Sequence, residues 1–319
     1  MYSVIIPVYK NEEFIPSLIS EFSRIANLIS ERFKLKTEFI FVVDGSPDKS
    51  YELLREALPK APFPSQLVLH ARNFGSLAAI RTGLQAGRGN FFGIIAADLQ
   101  EPPELLVDFL GPLVSDAADV VVGRREGRKD PAASRISANM FWGLYRTFVS
   151  PEIPPGGVDI FGCSRQVRDE LLRLEESHSS LVGLLFWVGF RRQEAPYWRR
   201  ARIYGKSAWT FRKKLTYLLD SVFGFTDLPI WLLAVCGVLG LVLGVGYGAL
   251  VVVLRLLGGI DIPGYAATMI AVFFFGSLNI LGTAIVGAYA WRANENAKRR
   301  PLSVVQTAHI FEGNSIVSS

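Results

Sequence analysis

The chain has 319 residues, of which 50% are hydrophobic and only 20% are charged, and its mean hydropathy is +0.28. This composition is too apolar for an ordinary soluble domain, and 22 Phe, 6 Trp and 10 Tyr exclude a disordered chain. Two cysteines far apart exclude a disulfide scaffold and fit a reducing compartment. The net charge of +5 is too small to indicate nucleic acid, which we do not expect as a partner.

The first 200 residues alternate strand-like apolar runs with segments of helical periodicity. Strands are predicted at residues 4–8, 38–43, 66–70, 91–96 and 119–122, and helices at residues 12–31, 50–58, 76–86 and 103–114. This alternation predicts an α/β domain with a mainly parallel sheet covered on both faces. Because ligands bind at the carboxyl ends of such strands, the residues after each strand form the candidate site.

Two later segments are long and uncharged. Residues 228–254 carry no charge over 27 positions and residues 262–291 none over 30, whereas about 20 suffice to cross a bilayer. Basic residues flank the pair on both outer sides, so we predict a hairpin with both termini cytoplasmic, in a multi-pass protein of the inner cell membrane. The predicted organisation is a cytoplasmic catalytic domain (1–200), a basic juxtamembrane segment (201–226), two spans at about 228–254 and 264–291 within residues 227–292, and a cytoplasmic tail (293–319).

Carboxylates follow several of the predicted strands. Glu12, Asp48 and Glu104 are most simply interpreted as residues that cap or begin helices. Asp44 and Asp98 differ, because each follows a run that should be buried and precedes a Gly or Pro-Pro turn that needs no cap. These two aspartates are therefore the stronger candidates for chemistry.

The motifs together resemble one family. The segments that carry the resemblance are Ile6-Pro-Val-Tyr-Lys-Asn-Glu-Glu13, Asp44-Gly-Ser46, Arg72-Asn-Phe-Gly75, Ala97-Asp-Leu-Gln-Glu-Pro-Pro-Glu104 and the C-terminal pair of apolar segments. They resemble the polyisoprenyl-phosphate glycosyltransferases of family 2, of the dolichyl-phosphate mannose synthase and bactoprenol glucosyltransferase type, over nearly the whole chain. The resemblance implies a GT-A fold and inverting transfer of one sugar from a nucleotide sugar to polyprenyl phosphate in the bilayer.

The donor and acceptor identities are expectations of the same resemblance. We expect glucose from a UDP-linked donor. The alternatives are a GDP-mannose-dependent mannosyltransferase and a catalytically impaired membrane scaffold. A processive polysaccharide synthase would need a pore, and two predicted spans do not provide one.

The resemblance also assigns roles to individual residues. The positions that match those holding the nucleotide are Pro7, Tyr9, Glu12, Val42 and Asp44. Asp98 and Gln100 match positions that engage Mg²⁺ or Mn²⁺ and the diphosphate, and the predicted catalytic residues are Asp98 and Asp159. The phosphate and acceptor contacts are assigned to Arg124, Arg125, Arg202 and Lys206.

Two of these assignments leave alternatives. Asp159 is either a base or an orienting residue, since a phosphate acceptor is already an anion and needs no obligatory base. Arg202 and Lys206 either clamp phosphates or belong to a polybasic stretch held to anionic lipid, and both roles are compatible.

The sequence departs from the family pattern at Ala96 and Val43, where the family usually has aspartate. A site with one protein carboxylate can still bind Mg²⁺, because this ion keeps waters and takes substrate phosphates as ligands. Weaker metal affinity and an inactive relative are the alternatives, and we favour the active interpretation because Asp44, Asp98 and Gln100 are present. The 3 histidines have no metal-ligand spacing, so no zinc site is predicted.

Apolar surfaces suggest membrane and subunit contacts. Residues 134–148 and 180–190 have amphipathic patterns that fit either core helices or helices lying in the headgroup layer. Gly240, Gly244 and Gly248 form a small-residue face for helix packing within the hairpin or between protomers. We expect a homo-oligomer formed through the membrane helices and the C-terminal tail.

Overall fold

In the computed structural model, the described residues are 1–127, 151–154, 157–158, 160–176, 179–200, 211–257 and 264–313, with residues 143, 146 and 147. The chain divides into two compact units, one of residues 1–217 and 301–319 and the other of residues 218–300. The predictions for Asp159, Arg202, Lys206 and most of the amphipathic segment 134–148 lie outside the described residues.

The first unit is built on a mostly parallel sheet. Its strands are β1 Tyr2–Val8, β2 Thr37–Val43, β3 Ser65–His70, β4 Phe91–Ile94, β5 Val120–Gly127, β6 Phe161–Ser164, β7 Arg192–Trp198 and β8 Val305–Phe311. Their order across the sheet is β7-β5-β6-β4-β1-β2-β3-β8. The parallel pairs are β1 with β2 and β4, β2 with β3, and β5 with β7. β6 pairs antiparallel with β4 and β5, and β8 pairs antiparallel with β3. This confirms the predicted α/β class.

Helices cover both faces of this sheet. The described helices are α1 Ile15–Phe33, α2 Ser50–Ala57, α3 Ser76–Ala86, α4 Leu105–Val114, α5 Arg165–Arg173, α6 Leu181–Trp187, α7 Phe211–Phe225, α8 Leu228–Leu256 and α9 Tyr265–Ala297. One face of β1 and β2 packs with α1, α2 and α4 in a single apolar core. On the other face α3 lies close, since a Cβ at Gly83 would be 2.4 Å from Ile5. β1 and β2 are therefore buried on both sides, which is why their sequences are continuous apolar runs.

The main core is rich in aromatic side chains. Phe22 of α1 stacks on Phe39 of β2 with ring centroids 4.9 Å apart, and Phe39 lies 4.6 Å from Phe63. The buried residues of α1 recur at helical spacing through Leu18, Phe22 and Ile25, so one stripe of the helix faces the sheet. This packing holds β1 and β2 rigidly in the centre of the sheet.

Three strands were not predicted from the sequence. β6 has only four residues, and β7 carries charged side chains and Pro196 on an edge strand, so neither has an apolar run. β8 lies in the predicted C-terminal tail and pairs antiparallel with β3 at the opposite edge. The segment that follows the second apolar helix thus completes the sheet.

The predicted amphipathic segment 180–190 contains α6. Leu184, Leu185 and Phe186 are buried at 2, 0 and 8% exposure, whereas Trp187 is 68% exposed. The three buried side chains fit the core interpretation of this segment.

The second unit contains α8, α9 and the end of α7. Two windows, Leu228–Leu254 and Ala271–Ala297, are long and apolar enough to cross a bilayer. Asp220 of α7 forms a 2.6 Å ion pair with Arg292 of α9, and the Arg292 guanidinium lies over the ring of Phe223. Gly240 approaches Phe275 of α9, since an added Cβ would be 3.1 Å from that ring. The predicted small-residue face is therefore used within the helix pair at Gly240.

Candidate functional site

The strand order reverses at the centre of the sheet. The chain runs outward from β1 to β2 and β3, and then crosses back to β4 on the other side of β1. Ligands of open α/β sheets bind outside the carboxyl ends of the strands at such a reversal. Tyr9 follows β1, Asp44 follows β2 and Asp98 follows β4, so three predicted site residues come from this edge.

Asp44 is the most firmly held of these residues. Its side chain is buried, and Oδ1 accepts the backbone N–H of Phe74 at 2.8 Å while Oδ2 accepts that of Gly75 at 2.7 Å. Nδ1 of His70 also lies 2.8 Å from Oδ1. Asp44 therefore fixes the turn that precedes α3, a structural role that the sequence did not predict.

Gly45 allows the backbone after β2 to lie close to the turn that precedes α3. Its φ is +55°, which is costly for residues with a side chain, and a Cβ would lie 2.3 Å from the carbonyl carbon of Arg72. The backbone after β2 and the backbone after β3 thus touch directly.

The loops after β1 and β2 are locked to each other. Glu12 N–H donates to Asp48 at 3.1 Å, and the Glu12 carboxylate accepts the N–H of Lys49, which precedes α2, at 2.9 Å. Burial alone would raise the pKa of Asp48, but hydrogen bonds from Ser46, Ser50 and Glu12 outweigh it and lower this pKa. Both acids act at helix starts, which matches the simpler interpretation of Glu12 and Asp48.

The other residues assigned to the nucleotide differ in exposure. Pro7 and Val42 are direct neighbours in the β1–β2 register, and Val42 is fully buried, so its side chain supports the strand. Tyr9 is 40% exposed, with the Lys10 ammonium 5.5 Å from its ring centroid. Of these three, Tyr9 has an accessible ring on which a base could stack.

Asp98 and Gln100 lie on a tight turn after β4. Leu99 between them has a φ of +51°, and Gln100 N–H donates to Asp98 Oδ1 at 3.3 Å. Among the described residues there is no group of three or more His, Cys, Asp or Glu side chains that could hold a metal alone. One carboxylate and an amide oxygen do fit an Mg²⁺ or Mn²⁺ ion whose remaining ligands are water and substrate phosphates.

A buried glutamate adjoins this turn. Glu101 is 1% exposed, and its carboxylate lies 3.2 Å from Nε of Arg199. Burial raises the pKa of Glu101, and Asp98 raises it further, while Arg199 and Arg125 oppose the rise. Asp98, Glu101 and Arg125 therefore belong to one electrostatic cluster.

The end of β7 is fastened to the same loop. Arg200 N–H donates to the Gln100 carbonyl at 2.8 Å, and the Arg200 guanidinium lies 3.6 Å from Glu104. Glu104 also accepts from Arg24 of α1 at 2.5 Å. Burial alone would raise the pKa of Glu104, but a hydrogen bond from its own backbone N–H and the contact with Arg24 lower this pKa. Arg200, the last described residue before the basic segment, is thus held at the Asp98 loop.

The two arginines of β5 have different environments. Arg124 is about half-exposed and pairs with Glu194 at 3.1 Å and with Glu126 at 3.4 Å, whereas Arg125 is buried. Together with Trp198 they line a cleft of about 380 Å³. Of these two arginines, Arg124 is the more accessible cation, while Arg125 is buried.

Sequence reasoning missed three parts of the site. His70 was considered only as a zinc ligand, although it ends β3 at the same edge as Asp44. Glu101 lies inside a motif of the family resemblance but has no predicted role, and Arg199 has no individual role in the sequence analysis. Their partners lie far away in the sequence, but the position of His70 at a strand end was a usable signal.

Comparison with known proteins gives three findings. A family model described as glycosyl transferase family 2 matches residues 3–174. The uncharacterized glycosyltransferase YkcC of Bacillus subtilis is 31% identical over 312 residues, covering 98% of this chain and 95% of that protein. The SfII prophage-derived bactoprenol glucosyl transferase of Shigella flexneri is 26% identical over 308 residues, covering 96% of this chain and 98% of that protein.

A solved structure is also similar. Glucosyl-3-phosphoglycerate synthase from Mycobacterium tuberculosis, in complex with Mn²⁺, uridine-diphosphate-glucose and phosphoglyceric acid, is 16% identical with a TM-score of 0.48. The similarity covers 70% of this chain and 77% of that one.

Proposed function

The chain belongs to glycosyl transferase family 2 and is a glycosyltransferase, and from this premise we propose that it transfers one sugar from a nucleotide sugar to polyprenyl phosphate at a membrane surface. The observation that carries the proposal is the similarity to a bactoprenol glucosyl transferase over 96% of the chain, because it includes both apolar helices as well as the sheet domain. A glycosyltransferase joined to two such helices is suited to an acceptor that stays in lipid.

We assign the donor to the carboxyl edge of β1, β2 and β4. Tyr9 is exposed there for stacking on a base. Asp44 uses three donors among the described residues, and a carboxylate has about four acceptor positions, so it can also accept from a base or ribose. Pro7, Glu12 and Val42 shape this pocket through the strand pairing and the loop contact. The preferred donor is UDP-glucose, with GDP-mannose as the alternative.

Asp98 and Gln100 would hold the divalent metal beside the donor diphosphate. A bound Mg²⁺ or Mn²⁺ would neutralise charge that develops on the leaving nucleotide. Arg199 lies 3.2 Å from the neighbouring Glu101, so the loop that carries Asp98 is tied to the end of β7. A phosphate acceptor attacking opposite the leaving group gives inversion, with Asp159 orienting the acceptor or accepting a proton.

A transfer assay tests this proposal directly. Purified protein with polyprenyl phosphate and radiolabelled UDP-glucose should yield label in an organic-solvent extract, and GDP-mannose should yield less. Label from neither donor, together with no stabilisation by any nucleotide sugar in thermal scans, would favour the scaffold alternative.

The acceptor segment gives a separate prediction. Lys206→Gln and Arg202→Gln should each lower lipid transfer more than about tenfold, whereas loss of one cation near anionic lipid is worth only ~1 kcal/mol, or about fivefold. Affinity for free nucleotide should change little. Lys60→Gln is the matched control, because the side chain of Lys60 is 75% exposed and pairs only weakly, at 3.8 Å, with Glu56. Equal effects of Lys60→Gln and Lys206→Gln would contradict a specific phosphate contact.

The proposed orientation places the loop between the apolar helices outside the cytoplasm. A cysteine introduced at Gly259 should react with an impermeant thiol reagent on intact cells, and one at Ser315 should not. The background is Cys236→Ser; Cys163 can stay, because burial raises its pKa to about 12 and keeps the thiol unreactive. Labelling of both introduced cysteines from one side would contradict the hairpin.

A further inference from the structure

A buried chain of hydrogen bonds leads from Asp44 to the C-terminal segment. Nδ1 of His70 lies 2.8 Å from Asp44, Nε2 lies 2.9 Å from the Thr82 hydroxyl, and that hydroxyl lies 2.9 Å from the Ser303 hydroxyl. His70 is 1% exposed and Thr82 is 5% exposed. The chain thus joins the end of β2, the end of β3, α3 and the segment before β8.

The chemistry of the groups gives this chain a direction. A carboxylate only accepts, so Nδ1 of His70 carries the proton that points at Asp44. In the neutral ring Nε2 then accepts from the Thr82 hydroxyl, whose oxygen accepts from Ser303. With the ring neutral, every group of the chain therefore donates toward Asp44. Both ring nitrogens have a hydrogen-bond partner, which fixes the position of the ring.

A second contact holds the same place. The N–H of Ala71, next to His70, donates to the Val304 carbonyl at 2.9 Å. The β3–β8 register shifts between Leu69 and His70, which lets the segment 303–305 follow the end of β3. Ser303 and Val304, which precede β8, therefore lie against the residues that Asp44 and His70 organise.

We propose that His70 is a positioning residue for the donor site, and that Ser303 and Thr82 hold its ring so that Asp44 and the turn 72–75 keep their arrangement. The inference rests on the proposed function in one respect, since it takes Asp44 to contact the nucleotide. Phe74 also lies edge-on to the His70 ring at 5.6 Å, so a displaced ring would disturb the turn itself.

Two conservative variants of His70 distinguish the contribution of Nδ1 from that of Nε2. The amide nitrogen of His70→Asn lies close to the position of Nδ1 and can still donate to Asp44, whereas that of His70→Gln reaches toward Thr82 and leaves Asp44 without this donor. In full-length protein, His70→Gln should weaken UDP binding about tenfold in calorimetry, the effect of one hydrogen bond to a charged group. His70→Asn should stay within about threefold of the wild type.

Amide hydrogen exchange supplies a readout that does not depend on the nucleotide. In His70→Gln, exchange of the peptide covering residues 71–76 should accelerate about tenfold, and Thr82→Val should accelerate it about threefold. Thr307→Val is the matched control, because it removes a hydroxyl of β8 that lies 3.2 Å from Tyr51 and is not a member of the chain from Asp44 to Ser303.

The outcomes are distinct. Wild-type exchange at residues 71–76 in both His70→Gln and Thr82→Val would overturn the inference, and Thr82→Val alone decides it if His70→Gln fails to fold. Absence of UDP binding by the wild type would count against the proposed function, while the exchange rates would still decide whether His70 supports the turn. Faster exchange with weaker UDP binding in His70→Gln, and neither in Thr307→Val, would support the inference.

Discussion

Asp98→Asn is expected to reduce sugar transfer to lipid by at least about 100-fold, the cost of removing one group that stabilises developing charge. The asparagine keeps the shape of the side chain, and its oxygen can still accept the Gln100 N–H that Asp98 accepts at 3.3 Å. The turn after β4 should therefore persist, and the loss should reflect the missing negative charge. Transfer of radiolabelled sugar into solvent-extractable lipid measures the effect.

The metal dependence of the same site can be followed in parallel. EDTA should inhibit the wild type, and added Mg²⁺ or Mn²⁺ should restore transfer. Ala96→Asp should keep activity or lower the metal concentration that gives half-maximal transfer, since it adds a second hard oxygen ligand beside Asp98.

A surface aspartate is the control for this test. Asp116→Asn removes a carboxylate that is 86% exposed and pairs with Arg191, and it should leave transfer unchanged. Full activity of Asp98→Asn would refute its assignment as the metal-binding carboxylate. Activity that resists both EDTA and Asp98→Asn would point to stabilisation by the arginines alone.

The sequence was sufficient for the centre of the fold because burial there is continuous. β1 and β2 are buried along nearly their whole length, so their apolar runs stand out, and α3 was predicted with the bounds that the structure has. β8 alternates exposed and partly buried residues and pairs with a strand more than 230 positions earlier. No local pattern carries such a long-range pairing.

The same distinction applies to the site. Asp44 and Asp98 stood out because a carboxylate directly after a buried run is unusual. The sequence did not predict the hydrogen-bond partners of Asp44, because the amides of Phe74 and Gly75 reach it only through the close packing of two loops at Gly45. The roles assigned to Tyr9, Asp98 and the other residues by resemblance remain predictions that the proposed variants test.

Glu38→Gln should destabilise the sheet domain, although it is a conservative change. The Glu38 carboxylate is fully buried on β2 and accepts from the Ser3 hydroxyl at 2.6 Å and from the backbone and guanidinium of Arg88 at 2.6 and 2.9 Å. Glutamine would replace one acceptor with a donor that faces other donors, and it would leave the Arg88 charge without its partner. Because the Arg88 side chain is 42% exposed, its charge stays hydrated, and the cost comes mainly from the buried donors left without an acceptor, about 1–3 kcal/mol.

The consequence for melting follows from the size of the domain. At roughly 2–4 °C per kcal/mol for a domain of about 150–250 residues, Glu38→Gln should lower the melting temperature by at least about 2 °C. Glu31→Gln, at an exposed position of α1, should leave it within about 1 °C.

Because Glu38 is paired with Ser3 near the amino ends of the strands, it lies at the edge opposite Asp44 and Asp98. Nucleotide affinity measured well below the transition should therefore match the wild type, which separates this effect from the site variants. A melting temperature equal to that of Glu31→Gln would show that the Glu38 network contributes little to stability. A selective loss of nucleotide affinity in Glu38→Gln would instead mean that the two edges of the sheet are coupled through β1 and β2.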